Sequence, residues 1–479
     1  MNQDILKYTL GLKIKKFRTK RNLSLKKLAE LSGFSTSYLN EIEKGKKYPK
    51  MEKLIPLASN LEIPVEELVS PKVDPKLGPI IDLLNSKFFQ EFPFELFGVG
   101  QHDFFELTSQ NPEKFSSFLA ALMNMARIYE LNLDEFYQAS LRSYQESHKN
   151  YFPELEDKAE EFLKRFKVKD LEKILQEEFN VSIDYKTLNQ YPNLASKRSV
   201  LKGDTLYINN NLRPTQKRFV LAKQIGYLFL NLETGTGFTK QLNDFKASYF
   251  SGALLIDKKD LIRDLKVIFK NPTFKTVAFF DLLQKYGSNT ELLFNRLTQI
   301  LPQYFNFNNL FFLRLQSSLN PTTKQKELKI NKELHFAERH FPHGIGLPEH
   351  YCRRWITVSI LGELEDKIKA GKYRRPLLRV QISQMTGKEE KYLCVSMARK
   401  SSLKSDTLSC LTIGMKIDDS LIKAINFLDD PKIRRKIVGQ TCERCDLADC
   451  KERACPPVVV NQQNIEKLKK DSLAEFLQQ

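Results

Sequence analysis

The sequence has no run of 18 or more apolar residues, so it offers no segment for a transmembrane helix. Its start, MNQDILKYTL, lacks the basic-then-apolar pattern of a secretion signal, and the expectation is a cytoplasmic protein. No internal repeat or low-complexity tract is present, which argues against a repeat array. Cysteine is sparse, and four of the 7 crowd between Cys442 and Cys455. Without an export signal, that clustering favours metal over disulfides. Acidic residues are outnumbered, 58 against 76 Lys and Arg, which leaves a formal net charge of +18. A polyanionic partner is therefore expected, although charge alone says nothing about fold. What is present is enough for folded cores. A hydrophobic fraction of 41% with 11% aromatics excludes global disorder, and 479 residues allow several domains.

The chain reads as four pieces. Residues 1–72 are basic and helical, with 15 Lys and Arg against 8 Asp and Glu, a balance of +7. Ser70-Pro71-Lys72-Val73-Asp74-Pro75, with Gly78-Pro79, reads as a linker. Residues 73–160 form an aromatic-rich helical linker or dimerisation region, in which Phe88, Phe89, Phe92, Phe94 and Phe97 supply core or interface. Residues 161–325 alternate helix, short strand and helix. Residues 326–479 hold strands expected at Ile356 to Leu361, Leu377 to Ile382, Tyr392 to Met397 and Leu408 to Met415. A Cys-rich loop follows, then a polar helix from about Asn461 to Leu477. The fold class is multidomain α and α+β.

The N-terminal piece carries a compact pattern. Leu10, Ile14 and Phe17 share one helical face, surrounded by Lys13, Lys15, Lys16, Arg18, Lys20 and Arg21. Ser24 can cap a second helix, Gly33 supplies the left-handed turn, Ser35 can cap a third helix, and Gly45 ends it. Two short helices around a Gly turn make a helix-turn-helix, whose second helix can present its N-terminal side chains to a major groove. The string LSLKKLAELSGFSTSYLNEIEKGKKYPKMEKLIPLASNLEIPVEEL closely resembles the Xre (Cro/C1-type) helix-turn-helix family. By that resemblance Thr36, Ser37 and Asn40 read bases, and Arg18, Lys44, Lys46 and Lys47 contact phosphates, which position without specifying. Leu25 departs from the pattern, standing where the family usually has Gln.

A strand at Leu206 to Ile208 precedes a helix from Gln216 to Leu230. The string RFVLAKQIGYLFLNL resembles the H-E-x-x-H helix of the ImmA/IrrE metallopeptidase family. Downstream, FKASYFSGALLI resembles the segment that carries that family's carboxylate ligand. By the resemblance, Lys223 and Tyr227 stand at the two ligand His positions, Gln224 at the general-base Glu and Lys246 at the carboxylate. A protonated Lys repels a dication, and Gln cannot take a proton from water. The expectation is a degenerate, zincin-like α+β domain with no peptidase activity. Lys223 and Lys246 either face one cleft as an anion site or fill an abandoned one.

Near the C-terminus Cys442, Cys445, Cys450 and Cys455 have the spacing C-x2-C-x4-C-x4-C. Soft thiolates at such spacing select zinc or an iron–sulfur cluster; free or redox-active thiols are the other reading. Cys394 and Cys410 lie in expected strands and read as core. Four of the six His, namely His335, His340, His343 and His350, fall just before Cys352. They read as incidental loop residues, or as a separate metal site or pH-sensitive patch. The stretch also resembles the C-terminal signature of the short-chain fatty-acid (RamB/PrpR-type) transcriptional regulators. That family joins an Xre domain, an ImmA/IrrE-like domain and a Cys-bearing sensor domain. The resemblance favours a [4Fe–4S] cluster over zinc, on Cys442, Cys445 and Cys450, with Cys352 and Cys455 competing for the fourth position. It also implies an acyl-CoA or short-chain fatty-acid effector, for which Arg353, Arg354, Lys223 and Lys246 are candidate contacts.

The expected function is that of a DNA-binding transcription regulator acting as a homodimer on double-stranded DNA, with no membrane partner. The rivals are an active ImmA/IrrE-type metallopeptidase that cleaves a repressor, and a mobile-element repressor without a small-molecule effector.

Overall fold

The computed structural model describes residues 3–70, 78–86, 89, 94–99, 103, 112–128, 132–287, 289–320, 322–336, 349–401, 403 and 406–478. Phe88, Phe92, His340 and His343 lie outside the described residues. The chain divides into two compact units, one of residues 1–140 with 235–241, the other of residues 141–234 with 242–479. Among the described residues no helix is long and apolar enough to cross a membrane.

The first unit opens with α1 (Gln3–Lys20), α2 (Leu25–Ser32), α3 (Thr36–Glu43), α4 (Met51–Asn60) and α5 (Val65–Val69). Leu10 and Ile14 of α1, Leu28 and Ala29 of α2, Leu39 and Ile42 of α3, and Leu54, Leu57 and Ala58 of α4 close one core. These are the i, i+3, i+4 apolar positions of each helix. Tyr8 and Leu12, on another side of α1, pack with Ile80 and Leu84 of α6 (Gly78–Asn85) and Leu119 of α7 (Pro112–Ile128). Gly11 lets α1 lie directly on the end of α3: a Cβ there would sit 2.3 Å from the Ile42 carbonyl oxygen.

α8 (Leu133–Ser147), α9 (Pro153–Arg165) and α10 (Leu171–Phe179) lead to a three-stranded sheet of β1 (Ser182–Asp184), β2 (Ser199–Lys202) and β3 (Thr205–Ile208) in the order β1-β3-β2. The helices α11 (Pro214–Phe229), α12 (Gly237–Leu255), α13 (Lys258–Phe269), α14 (Thr276–Lys285) and α15 (Thr290–Phe305) follow.

A six-stranded sheet completes the second unit. Its strands are β4 (Leu310–Leu319), β5 (Lys326–His335), β6 (Leu377–Met385), β7 (Lys391–Lys400), β8 (Leu408–Lys416) and β9 (Arg434–Val438). The order is β5-β4-β8-β7-β6-β9; every pair is antiparallel except the parallel β6–β9. Alternation sorts the central strands β7 and β8 onto two buried faces. Leu393, Val395 and Met397 of β7, with Leu411 and Ile413 of β8, join the large core that also holds Ile225 of α11 and Leu293 and Leu297 of α15. On the opposite face Leu315, Ala398 and Cys410 meet α16 (Ile356–Lys369) through Ile360, Leu361 and Leu364. Cys394 and Cys410 are buried strand residues. Gly414 of β8 passes under the Phe311 ring, where a Cβ would lie 2.2 Å from Cζ. α17 (Asp419–Ala424) follows β8, and α18 (Val458–Gln478) ends the described chain.

Two expectations change. Ile356 to Leu361 is the start of α16, not a strand. Its alternating, β-branched opening mimics one, but Ile356, Thr357, Ile360, Leu361 and Leu364 are buried at helical spacing. The boundary expected between 325 and 326 falls in the turn of the β4–β5 hairpin, so no break in the sheet separates those two pieces.

Candidate functional site

The helix-turn-helix is built by local caps. Ser24 Oγ accepts from the Lys27 backbone N–H at 3.1 Å, and Ser35 Oγ from the Tyr38 N–H at 3.1 Å. Gly33 ends α2 at φ +68. Thr36 and Ser37 are exposed on the first turn of α3, and Asn40 is half-buried one turn on. Tyr38 packs edge-on to Phe34 at 5.5 Å between centroids, and Lys53 lies over both rings. Lys44 and Lys46 are half-buried and Lys47 is exposed. Leu25, the departure from the family pattern, packs against the domain core. Sequence reasoning passes over Lys26 and Lys27, both exposed on the first turn of α2.

Arg18, expected at a phosphate, is paired within the domain. Its Nε and Nη2 donate to the two oxygens of Glu43 at 2.6 and 2.9 Å, and its Nη1 donates to the Leu23 carbonyl at 2.9 Å. Glu43 is buried, and a buried carboxylate needs a partner. The structure therefore makes Arg18 a tie between α1 and α3.

In the zincin-like frame, α11 and α12 approach at Gly226, where a Cβ would lie 3.0 Å from the Ala247 carbonyl oxygen. Lys223 Nζ donates to Asp244 Oδ1 at 2.6 Å, and the Tyr227 hydroxyl donates to the same oxygen at 2.5 Å. Burial, then the Asp244 carboxylate, pushes the Tyr227 phenol up from its ordinary value. The carboxylate beside the two degenerate ligand positions is thus Asp244. Lys246, two residues on, lies about 200° around the helix from it. Gln224 and Lys246 are half-buried.

The cysteine loop is folded around Arg453. Its guanidinium donates to the carbonyls of Cys442 at 3.0 Å, Cys445 at 3.2 Å and Leu447. The Cys352 segment is tied to this loop by a bridge between Tyr351 and Thr441, by Cys352 N–H to Gln440 O at 3.1 Å, and by Cys442 N–H to His350 O at 2.8 Å. The Trp355 indole donates to the Gly439 carbonyl at 2.7 Å. A Cβ at Gly439 would lie 2.6 Å from Cys445 Sγ, so glycine is needed for that thiol to lie against the backbone. Cys352, Cys442 and Cys445 are buried, whereas Cys450 and Cys455 are half-buried. Burial pushes the Cys352 thiol up, and the nearby sulfurs of Cys445 and Cys442 add to that shift. Arg353 is exposed, and the Arg354 carbonyl accepts from Gln381 Nε2 at 3.1 Å.

The sequence offers His350 and Cys455 as separate metal candidates, and the structure adds Glu443 between them. Donor atoms of His350, Glu443 and Cys455 all lie within 4.8 Å of one another. His350 Nδ1 is 2.8 Å from Glu443 Oε1. The residues are 93 apart in sequence at that contact, so no local spacing announces it.

A helix-turn-helix family model matches residues 14–68, and a model of the IrrE N-terminal-like domain matches residues 176–298. These two segments define a helix-turn-helix module followed by an IrrE-like domain. A comparison with curated proteins gives no match. Among solved structures, a Mycobacterium tuberculosis transcriptional regulator is similar at 17% identity with a TM-score of 0.47, over 67% of this chain and 93% of that one.

Proposed function

We propose that this chain is a transcription regulator that binds double-stranded operator DNA through α3. The observation that carries the reading is a capped helix with Thr36 and Ser37 exposed at its start, inside the segment matched as helix-turn-helix. Thr36, Ser37 and Asn40 read base edges, and Lys44, Lys46 and Lys47 meet phosphates. The protein acts as a cytoplasmic homodimer, because one short helix contacts too few base pairs for genomic selectivity. The IrrE-like domain, within residues 161–325, is a pseudo-peptidase. Its support is the Lys223–Asp244 pair, with Tyr227 on the same oxygen, where peptidase chemistry would need metal ligands.

The C-terminal part, expected over residues 326–479 and sharing its sheet with β4, senses a signal. The resemblance stated above supports an acyl-CoA or short-chain fatty-acid effector. The donor set of the cysteine loop fits a thiolate-ligated group: Cys442, Cys445 and Cys450 would hold it, with Cys352 or Cys455 as the fourth donor. Thiolate donors of this kind suit an iron–sulfur cluster or zinc. The resemblance makes a [4Fe–4S] cluster the favoured occupant, which would supply redox chemistry, and zinc is the alternative.

The DNA claim is tested by anisotropy titrations of the full chain against its own upstream DNA and against unrelated duplex, at several salt concentrations. Asn40→Ala weakens specific binding more than non-specific binding; equal losses would remove Asn40 from the base-reading set. The match at residues 176–298 keeps one rival in play, a peptidase that cleaves a repressor. Proteolysis that persists through purification and stops with a chelator would establish that rival.

A further inference from the structure

Six cations gather in the second unit where the IrrE-like helices meet the six-stranded sheet. They are Arg198 before β2, Arg213 at the start of α11, Lys223 on α11, Arg314 on β4, Lys332 on β5 and Arg399 on β7. They centre on Glu291, in the first turn of α15. Its Oε1 accepts from Arg314 Nη1 at 3.1 Å, and its Oε2 lies 3.5 Å from Arg198 Nη2. Lys332 Nζ donates to Asn295 Oδ1 at 3.0 Å, one turn along α15. Lys332 feels Glu291, Arg314, Arg198 and Lys223, while Arg399 feels Glu291, Arg213, Arg314 and Arg198. The carboxylates placed against this group are Glu291 and, through Lys223, Asp244. Among the described residues, six basic side chains therefore gather about these two carboxylates.

That imbalance is not what a structural ion pair requires. Arg314 and Lys332 are direct cross-strand partners, and like charges directly opposite destabilise a sheet. The β4–β5 ladder also shifts register between Arg314 and Leu315. Such bulges re-aim side chains and are common beside binding sites. The side chains are not sealed in: Arg314 is 23% exposed and Lys223 28%, so a solute can reach them. Burial lowers Lys332 from its ordinary value, and burial first, then the neighbouring Arg residues, brings Arg399 down to about 10.

We propose that this cleft binds the phosphate groups of a small phosphorylated ligand. Arginine forks match phosphate oxygens two at a time, and Lys332 and Lys223 add point charges. The inference deepens the effector reading above and rests on it for its regulatory meaning. It replaces the pairing of Lys223 with Lys246 by one that draws on β4, β5 and β7.

The test is calorimetric titration of the full chain with inorganic pyrophosphate, alongside anisotropy measurements of DNA affinity. Wild type gives one saturable site. Lys332→Gln weakens binding by about tenfold, the loss of one charge-assisted contact. Glu291→Gln moves the other way and tightens it, because it removes the competing carboxylate; this variant keeps the test decisive if Lys332→Gln fails to fold. Lys467→Gln, on the exposed face of α18, leaves binding unchanged. No saturable pyrophosphate site, or equal affinity in all variants, would overturn the proposal. Binding that follows this pattern but leaves DNA affinity unmoved would uphold the site and overturn the effector reading instead.

Discussion

Replacing Arg18 with Ala separates two roles that the sequence does not distinguish. In the structure Arg18 makes a two-pronged contact with Glu43 and a third bond to the Leu23 carbonyl. The Arg18 side chain is 15% exposed and that of Glu43 6%. Removing one partner of a buried pair costs about 3–5 kcal/mol, and the residual exposure of Arg18 places this case near the low end, about 3 kcal/mol. The α1–α3 core should then open more readily, by roughly 150-fold at 1.4 kcal/mol per factor of ten. Hydrogen exchange on the DNA-free full chain reads this directly in peptides from α1 and α3. Arg18→Met combined with Glu43→Leu should recover most of the protection, because no carboxylate is then left buried alone. A phosphate contact behaves differently. Its loss leaves exchange unchanged and flattens the salt dependence of DNA binding by about 0.9 in log–log slope. That second outcome would refute the reasoning.

Gly11→Ala should also loosen the module, since the added methyl meets the Ile42 and Glu43 carbonyls at 2.3 and 2.7 Å. The expected cost is about 1–3 kcal/mol, read as faster exchange in the same peptides, and unchanged protection would show that α1 can shift freely. At the other end, Cys445→Ser should abolish a broad absorption band near about 400 nm and the matching iron and sulfide content in anaerobically purified protein. A colourless wild type holding one zinc would overturn the iron assignment and leave the DNA claim intact.

The N-terminal module is legible in the sequence because its signals are local. Ser24, Gly33, Ser35 and Gly45 each act within a few residues, and capping chemistry needs no knowledge of distant chain. The strands β6, β7 and β8 are legible for a similar reason, through short alternating or apolar runs between turn residues. Ile356 to Leu361 reads as a strand yet folds as helix, because burial at helical spacing overrides a β-branched opening. Arg18 reads as a phosphate contact because Glu43 lies 25 residues away and only folding brings them together. Asp244 stands just before the string that carries Lys246, and only the hydrogen bonds single it out. The cation cleft collects residues from 198 to 399, so no window of sequence contains it.

Trp355 is the chain's one tryptophan, and it donates its indole N–H to the carbonyl of Gly439, the residue against which the Cys445 thiol rests. Intrinsic indole emission from the whole molecule therefore originates at a single address. Filling or stripping the neighbouring thiols would alter that light without any dye or label, giving a native optical gauge of the loop's state while DNA is bound or released.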